Sequence, residues 1–317
     1  MTGAARWSEE LRSMVGGSVK VNEPLRDHTT LQIGGPVDVM VFPARPDDLV
    51  RVVRWCLDRR VPYSFLGFGS NVLAPDEGLE GVLLRTKPAL DFIRFEGTRV
   101  VVGTGASVAR LVAQAAARGL EGVEGLAGVP GSVGGALVMN AGTRMGEIGR
   151  SVVWVDLIDE AGRTRRLEAP ELEYAYRSSR LQREPRWLVL QAELRLVPGD
   201  PSAIRRRVDE ALQYRNRTQP LHLPSAGSVF KNPPGHAAGR LIEEAGCKGL
   251  RRGGAQVSEQ HANWIVNTGG ATAEDVLGLM IEVRQRVLQR SGIALEPEIR
   301  LLGPLRERWR RATAATA

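Results

Sequence analysis

The chain is 317 residues long with 43% hydrophobic and 25% charged side chains, an ordinary globular composition with material for two or three domains. No apolar run approaches the ~20 residues needed to span a bilayer, and the polar stretch 1–11 holds two glutamates, so neither membrane insertion nor a secretory signal is expected and the cytoplasm is the expected compartment. The net charge of +7 admits an acidic partner, but only 5% of residues are aromatic and the basic clusters at 205–207, 251–252 and 306–311 are short, which argues against a nucleic-acid platform.

Strands are expected at 37–42, 62–66, 82–86, 99–102, 152–158 and 188–196 from their β-branched and aliphatic content. Between them, 46–60 places Leu49, Val52, Val53, Cys56 and Leu57 on one helical face behind an early proline, and 107–118 repeats the pattern with Ser107 as its N-cap. Asp159-Glu160-Ala161-Gly162 predicts a hairpin turn into a strand at 164–168. The charged stretch 201–217 reads as a helix that stops at Gln219-Pro220, a domain boundary. Beyond it, helices are expected at 238–245 and 272–291 around a short strand at 264–266. The longer helix carries Ala273, Val276, Leu277, Met280, Val283 and Val287 as its apolar stripe. A last strand at 298–302 follows, and 312–317 is expected to fray. The order of elements gives an α+β fold. Cys56 and Cys247 stand far apart without ligand spacing, so neither a disulfide framework nor a metal site is expected.

Three stretches carry candidate chemistry. Leu66-Gly67-Phe68-Gly69-Ser70-Asn71-Val72 follows a strand, and its glycines make either a plain β-turn or a turn whose N–H groups converge on a phosphate. It is not the dinucleotide fingerprint, because the third glycine and the βαβ crossover are missing. The run from Gly125 to Gly142 is too apolar for a flexible linker. It is either a packing element between lobes or a cradle in which Pro130, Gly131, Ser132, Gly134, Gly135, Asn140, Ala141 and Gly142 meet a planar or phosphate-bearing ligand. Two such segments without a Rossmann signature suggest a non-Rossmann flavin site. The third stretch, Ser225-Ala226-Gly227-Ser228-Val229-Phe230-Lys231-Asn232-Pro233, is built like a reactive loop. Gly227 lets the backbone approach a ligand, Ser228 offers a hydroxyl proton, and Lys231 and Asn232 can meet an anion.

Together with Tyr176-Arg177-Ser178-Ser179 and Glu296-Pro297-Glu298-Ile299-Arg300, these motifs are similar to those of the UDP-N-acetylenolpyruvoylglucosamine reductase (UDP-N-acetylmuramate dehydrogenase) family, flavoenzymes of peptidoglycan synthesis. The resemblance runs from about residue 22 to 302. It implies an α+β fold with a two-part FAD-binding region of the PCMH/vanillyl-alcohol-oxidase type and a smaller α+β substrate-binding domain. Its expected divisions are an N-terminal extension (1–21), two FAD-binding subdomains (22–90 and 91–218, with 299–317 returning to the second) and a substrate-binding domain (219–298). It also implies non-covalent FAD, NADPH as hydride donor, and reduction of an enolpyruvyl UDP-sugar to UDP-N-acetylmuramate. Gly67, Gly69, Ser70, Asn71 and the second glycine run would contact FAD. A monomer is the expectation.

The implied reaction adds hydride to the terminal enol carbon, so negative charge builds on the substrate carboxylate and calls for preorganised positive charge and donors. A proton must then reach the α carbon from a positioned acid. By resemblance Arg177 is the active-site arginine, whose fork suits a carboxylate. Ser228 is the proton donor, with Lys231 or a water chain helping to hold its alkoxide. Glu298 is the active-site glutamate, expected to carry a raised pKa beside a carboxylate and to act as a donor. Lys231 and Asn232 are expected at the UDP diphosphate or sugar, Arg300 on the strand face of Glu298, and Tyr214 and Arg215 as further substrate contacts. His261 is read as structural and His28 as ordering the entry to the first lobe. Some members insert a loop whose tyrosine closes over the substrate; the interval from Arg177 to Ser228 is too short for it, so the chain reads as the shorter subtype. The alternatives are a flavin oxidase of the same broad fold acting on a small alcohol, and a basic nucleic-acid-binding protein.

Overall fold

The computed structural model describes residues 3–314. Contacts divide them into two units, each drawn from several stretches of chain: up to 23, 38–68 and 80–214 in the first, and 24–37, 69–79 and 215 onward in the second.

The first unit holds two cores. One lies on a four-stranded sheet in the order Ser18–Pro24, Pro36–Phe42, Leu79–Arg85, Tyr63–Leu66, the last two parallel. The helix Pro46–Arg59 covers it, burying Leu49, Val52, Val53 and Cys56 against Val39, Val41, Val82 and Leu84. Burial pushes the Cys56 thiol up to about 12, so it packs as a small apolar group. An amphipathic helix, Gly3–Met14, completes this layer: Leu11 is buried and the Glu10 carboxylate accepts the Trp55 indole N–H at 3.0 Å. The expected N-terminal extension is therefore core, because Leu11, Val15 and Val19 all bury there; residues 1–2 lie outside those described.

The second core is a five-stranded antiparallel sheet, Thr164–Glu168, Val152–Ile158, Leu188–Arg195, Arg99–Gly103, Ile93–Glu96. Val108–Ala117 packs on it, capped by the Ser107 hydroxyl as expected. The interval from Arg177 to Ser228 is filled by the short helix Arg180–Arg183, the strand Leu188–Arg195 and the helix Pro201–Thr218, with the two-residue strand Val197–Pro198 between them.

In the second unit, antiparallel strands Ser225–Ser228, Trp264–Asn267, Ala255–Val257 and Arg251–Arg252 carry the helix Ala273–Ser291. Thr272 and Asp275 cap that helix reciprocally, and Gly292 ends it at a φ of +70°. Two segments group differently from the expected division. Leu31, Ile33 and Leu73, assigned to the first FAD-binding subdomain, bury in this core. Residues 299–314, expected to return to the second subdomain, also lie here: Arg300–Leu301 pairs with Val72–Leu73, and Trp309 packs 6.2 Å from the Phe230 ring. The expected strand 298–302 shrinks to Arg300–Leu301. The helix Leu305–Ala314 extends into the tail expected to fray, and 315–317 lie outside the described residues.

One buried charge makes the first unit acid-sensitive. Glu193, 2% exposed, accepts both guanidinium bonds of Arg99 (3.1 and 2.7 Å) and the Trp154 indole N–H (3.1 Å). The Arg99 bonds hold its carboxyl below the usual range against the opposing effect of burial. A lowered folded pKa gives stabilisation that is complete above the unfolded value of about 4.3 and is lost as pH falls through the folded one. Glu193→Gln is expected to lower stability by about 1–3 kcal/mol near neutral pH. The gap from wild type should close in acid, as read from urea unfolding midpoints.

Candidate active site

Ser228 ends its strand opposite Trp264, half-buried. Gly227 before it adopts a φ of +78°, and a Cβ there would meet nothing within 4 Å. The glycine is thus required by backbone conformation, and its side is open. Asn263 fixes the loop: its Oδ1 accepts from Phe230 N (3.0 Å), its Nδ2 donates to the Phe230 carbonyl (2.8 Å), and its own carbonyl accepts from Val229 N (2.8 Å). The 296–298 segment runs along the loop's other edge. The Val229 carbonyl accepts from Glu298 N (2.8 Å), and Lys231 N donates to the Glu296 carbonyl (2.9 Å). Asn71 joins them, donating to the Glu298 carbonyl (3.2 Å) while its own carbonyl accepts from Arg300 N (2.9 Å). Three motifs remote in sequence therefore meet within the second unit.

Other residues there carry structural duties. The Lys231 ammonium pairs with Glu296 at 3.1 Å, and Asn232 Oδ1 accepts from Ala238 N at 2.9 Å. Gly69 passes beneath His28, where a Cβ would overlap the His28 carbonyl. Ser70 follows it in the same turn. Arg300 is half-buried, and burial, with Arg306 nearby, lowers its pKa. Because the strand begins only at Arg300, the expected shared strand face with Glu298 does not exist. His261 supports the Asn263 frame, its Nδ1 accepting from Asn263 N at 3.3 Å, and burial lowers its pKa toward the neutral imidazole. A cavity of about 650 Å³ in this unit, lined among others by Arg26, Gln32, Asp76, Asn267 and Thr268, contains none of the expected site residues.

The first unit gathers the rest. Gly67 lies so close to Ser132 that a Cβ would collide with its hydroxyl, so the two glycine-rich runs meet. The expected phosphate cradle is altered by a helix the sequence did not announce, Val133–Met139. The Ser132 hydroxyl caps it from Gly135 N (3.2 Å), while Val133 N and Gly134 N donate to the carbonyls of Ala106 (2.9 Å) and Thr104 (3.0 Å). These amides are engaged within the chain. Pro130 precedes Gly131, whose carbonyl accepts from Val108 N at 3.1 Å, and the Ala141 carbonyl accepts from Ile148 N at 2.9 Å. Asn140 ends the helix, 2% exposed, with its side-chain amide bonded at both ends inside the chain. Arg177 sits in the left-handed region (φ +50°), a costly backbone for a non-glycine residue. Its Nη2 donates to the Gly142 carbonyl at 2.8 Å. On the helix Pro201–Thr218, the exposed Tyr214 carries the Arg144 guanidinium 5.0 Å over its ring; Arg215, which follows it and belongs to the second unit, has a buried Nε without a hydrogen-bond partner among the described residues.

Sequence reasoning missed Arg85. It is in register with Leu66, the residue before Gly67, and its Nη1 is buried without a partner among the described residues, as is the hydroxyl of Thr86 beside it. Burial lowers its pKa. The one signal was a basic residue closing an aliphatic strand. A buried guanidinium nitrogen left without a partner is costly, and beside the Gly67 turn it fits an anionic ligand such as the diphosphate of FAD.

Residues 219–302 match the family model described as UDP-N-acetylenolpyruvoylglucosamine reductase, C-terminal domain, and residues 37–168 match that of an FAD binding domain. The UDP-N-acetylenolpyruvoylglucosamine reductase of Heliobacterium modesticaldum is 47% identical over 282 residues, covering 89% of this chain and 90% of the relative. The chain belongs to the UDP-N-acetylenolpyruvoylglucosamine reductase family. The reductase of Bacillus subtilis is 40% identical over 295 residues, covering 93% of this chain and 97% of the relative. The crystal structure of the Thermus caldophilus reductase matches with a TM-score of 0.75 at 38% identity, covering 90% of this chain and 100% of that one. The expected α+β fold with an FAD-binding region is thereby established. Among the described residues no helix is long and apolar enough to cross a membrane.

Arg85→Met removes the unpaired charge while keeping the apolar stem. Titration of the apoprotein with FAD, followed by flavin fluorescence, should show affinity reduced about tenfold or more. An unchanged affinity would exclude Arg85 from the flavin site.

Proposed function

We propose that this protein reduces the enolpyruvyl ether of its UDP-sugar substrate to UDP-N-acetylmuramate for peptidoglycan synthesis, in the cytoplasm where both nucleotide substrates are available, and that Arg177, Ser228 and Glu298 carry the chemistry. The carrying observation is the Ser228 loop. Its glycine side is open, its backbone is fixed by Asn263, and the segment bearing Glu298 is hydrogen-bonded along it.

FAD, when bound, supplies the substrate with hydride taken from NADPH. Gly67, Ser132 and Arg85, together with Gly69, Ser70 and Asn71, would hold it. The chain's own residues handle charge and proton. Arg177 presents a planar fork, the geometry that best matches a carboxylate gaining negative charge. Glu298, in its protonated form, donates a hydrogen bond to the same carboxylate. Ser228 delivers the proton to the α carbon. An alcohol is a weak acid, so the alkoxide left on Ser228 needs a cation nearby, and Lys231 on the same loop provides one.

The flavin-oxidase alternative shares only the FAD-binding region, whereas the match to the reductase C-terminal domain spans the Ser228 loop and Glu298. Ser228→Ala should retain FAD and be reduced by NADPH at the wild-type rate. Its reoxidation by the enolpyruvyl UDP-sugar, followed anaerobically by flavin absorbance, should slow by about 10²–10⁴-fold; reoxidation at the wild-type rate would remove Ser228 as proton donor. Arg177→Lys keeps the charge but loses the fork, so the same step should slow as well.

A further inference from the structure

Arg177 depends on a buried polar frame. Its turn is closed by reciprocal hydrogen bonds between Ala175 and Ser178, 3.0 Å each way, and its left-handed backbone needs support from outside the turn. Asn140 supplies that support. Through Nδ2 it donates to the Ala175 carbonyl (2.9 Å) and to the Glu147 carboxylate (3.0 Å), and its Oδ1 accepts from Gly149 N (3.0 Å). Glu147 in turn lies 3.9 Å from Arg177 Nη1. Gly142, directly opposite Glu147 in a two-stranded ribbon, accepts from Arg177 Nη2. One buried amide thus ties the base of the turn that carries the guanidinium to the carboxylate that faces it.

The ribbon is shaped for this approach. A Cβ at Gly142 would overlap the Gly146 carbonyl, and Gly146 itself has a φ of +145°. On the far side of the turn Ser179, fully buried, donates to the Val138 carbonyl at 2.7 Å, so both flanks are pinned to the Val133–Met139 helix or its end. A separation of 3.9 Å is an ion-pair distance, beyond hydrogen-bond range. Glu147 therefore steers the guanidinium without the bidentate grip that an arriving carboxylate would make.

We propose that Asn140 and Glu147 are positioning residues for Arg177, holding its guanidinium in the orientation that receives the substrate carboxylate. This rests on the role proposed above for Arg177. Asn140 fixes the Glu147 carboxylate in place, and the charge of that carboxylate steers the guanidinium across 3.9 Å, so a neutral side chain of the same shape keeps the Asn140 bond but loses the steering. A misplacement of the fork by an ångström costs up to about a hundredfold in rate.

The test uses the FAD-loaded enzyme under anaerobic conditions, with flavin reduction by NADPH and reoxidation by the enolpyruvyl UDP-sugar measured separately. Asn140→Ala risks the fold, so Glu147 carries the experiment. Glu147→Ala is expected to slow reoxidation about ten- to hundredfold while flavin content and the rate of reduction by NADPH stay at wild-type levels. Glu147→Gln, which keeps the bond from Asn140 but loses the charge, should slow reoxidation by a comparable factor. In a cycle with Arg177→Lys the two losses should be far less than multiplicative. Wild-type reoxidation by the Gln variant, multiplicative losses in the cycle, or parallel loss of flavin content would each overturn the positioning role. If Arg177→Lys alone leaves reoxidation untouched, the role of Arg177 itself fails and this inference falls with it.

Discussion

Backbone packed directly on backbone is the constraint on which both units depend. Where Gly125 and Gly142 approach Gly146, or Gly35 approaches Asp76, a single methyl group would overlap a neighbouring carbonyl. Close-packed interiors absorb little strain, so these contacts exist only because the side chains are absent. Their consequence is positional. The Gly142–Glu147 ribbon can lie close enough for a main-chain oxygen to accept a hydrogen bond from Arg177, and the Gly69 turn can lie under His28.

Charge is distributed by the same logic of engaged and unengaged groups. Buried carboxylates are heavily satisfied. Asp48 collects amides from Gly16, Ala44 and Arg45 together with the Arg51 guanidinium, and Asp159 is held by Arg163 and its own hairpin. Each carboxyl stays below its usual pKa although burial alone would raise it. Several cations are left differently. Arg85 and Arg215 each bury a guanidinium nitrogen with no partner among the described residues, and burial lowers the pKa of both. A chain that pairs its buried anions this thoroughly, while leaving such cations, is arranged to receive negative charge from outside. That suits an enzyme whose FAD, NADPH and UDP-sugar are all anionic. It also gives the net charge of +7 a use other than nucleic-acid binding.

Much was legible because it is local. The apolar spacing of Pro46–Arg59 and Ala273–Ser291, the Ser107 cap and the Asp159–Gly162 turn are set by residues within a turn or two of each other. The ordered motifs carried the family resemblance for a related reason, since each is a short run whose residue types the chemistry dictates. Gly3–Met14 was overlooked because polarity, with Glu9 and Glu10 in view, outweighed an apolar stripe of few residues that shows its worth only against Val52 and Trp55. Val133–Met139 was hidden by glycines that ordinarily disfavour a helix.

The sequence by itself determined the fold class and the family, and named the residues proposed for the reaction. The tertiary structure decided which of them are engaged and with whom. Asn140, read as a ligand contact, is buried with its amide bonded inside the chain, and Asn232 accepts from Ala238 N, while Arg85, unnoticed, keeps a buried Nη1 without a partner among the described residues. It also moved segments 24–37 and 69–79 and the C-terminal helix into the second unit, where Asn71 reaches Glu298 and Thr30 reaches Ser225. The reason is physical. A side chain's chemistry is fixed by its covalent structure, but its hydrogen-bond partner is fixed by whichever distant stretch of chain the packing brings within 3 Å or so.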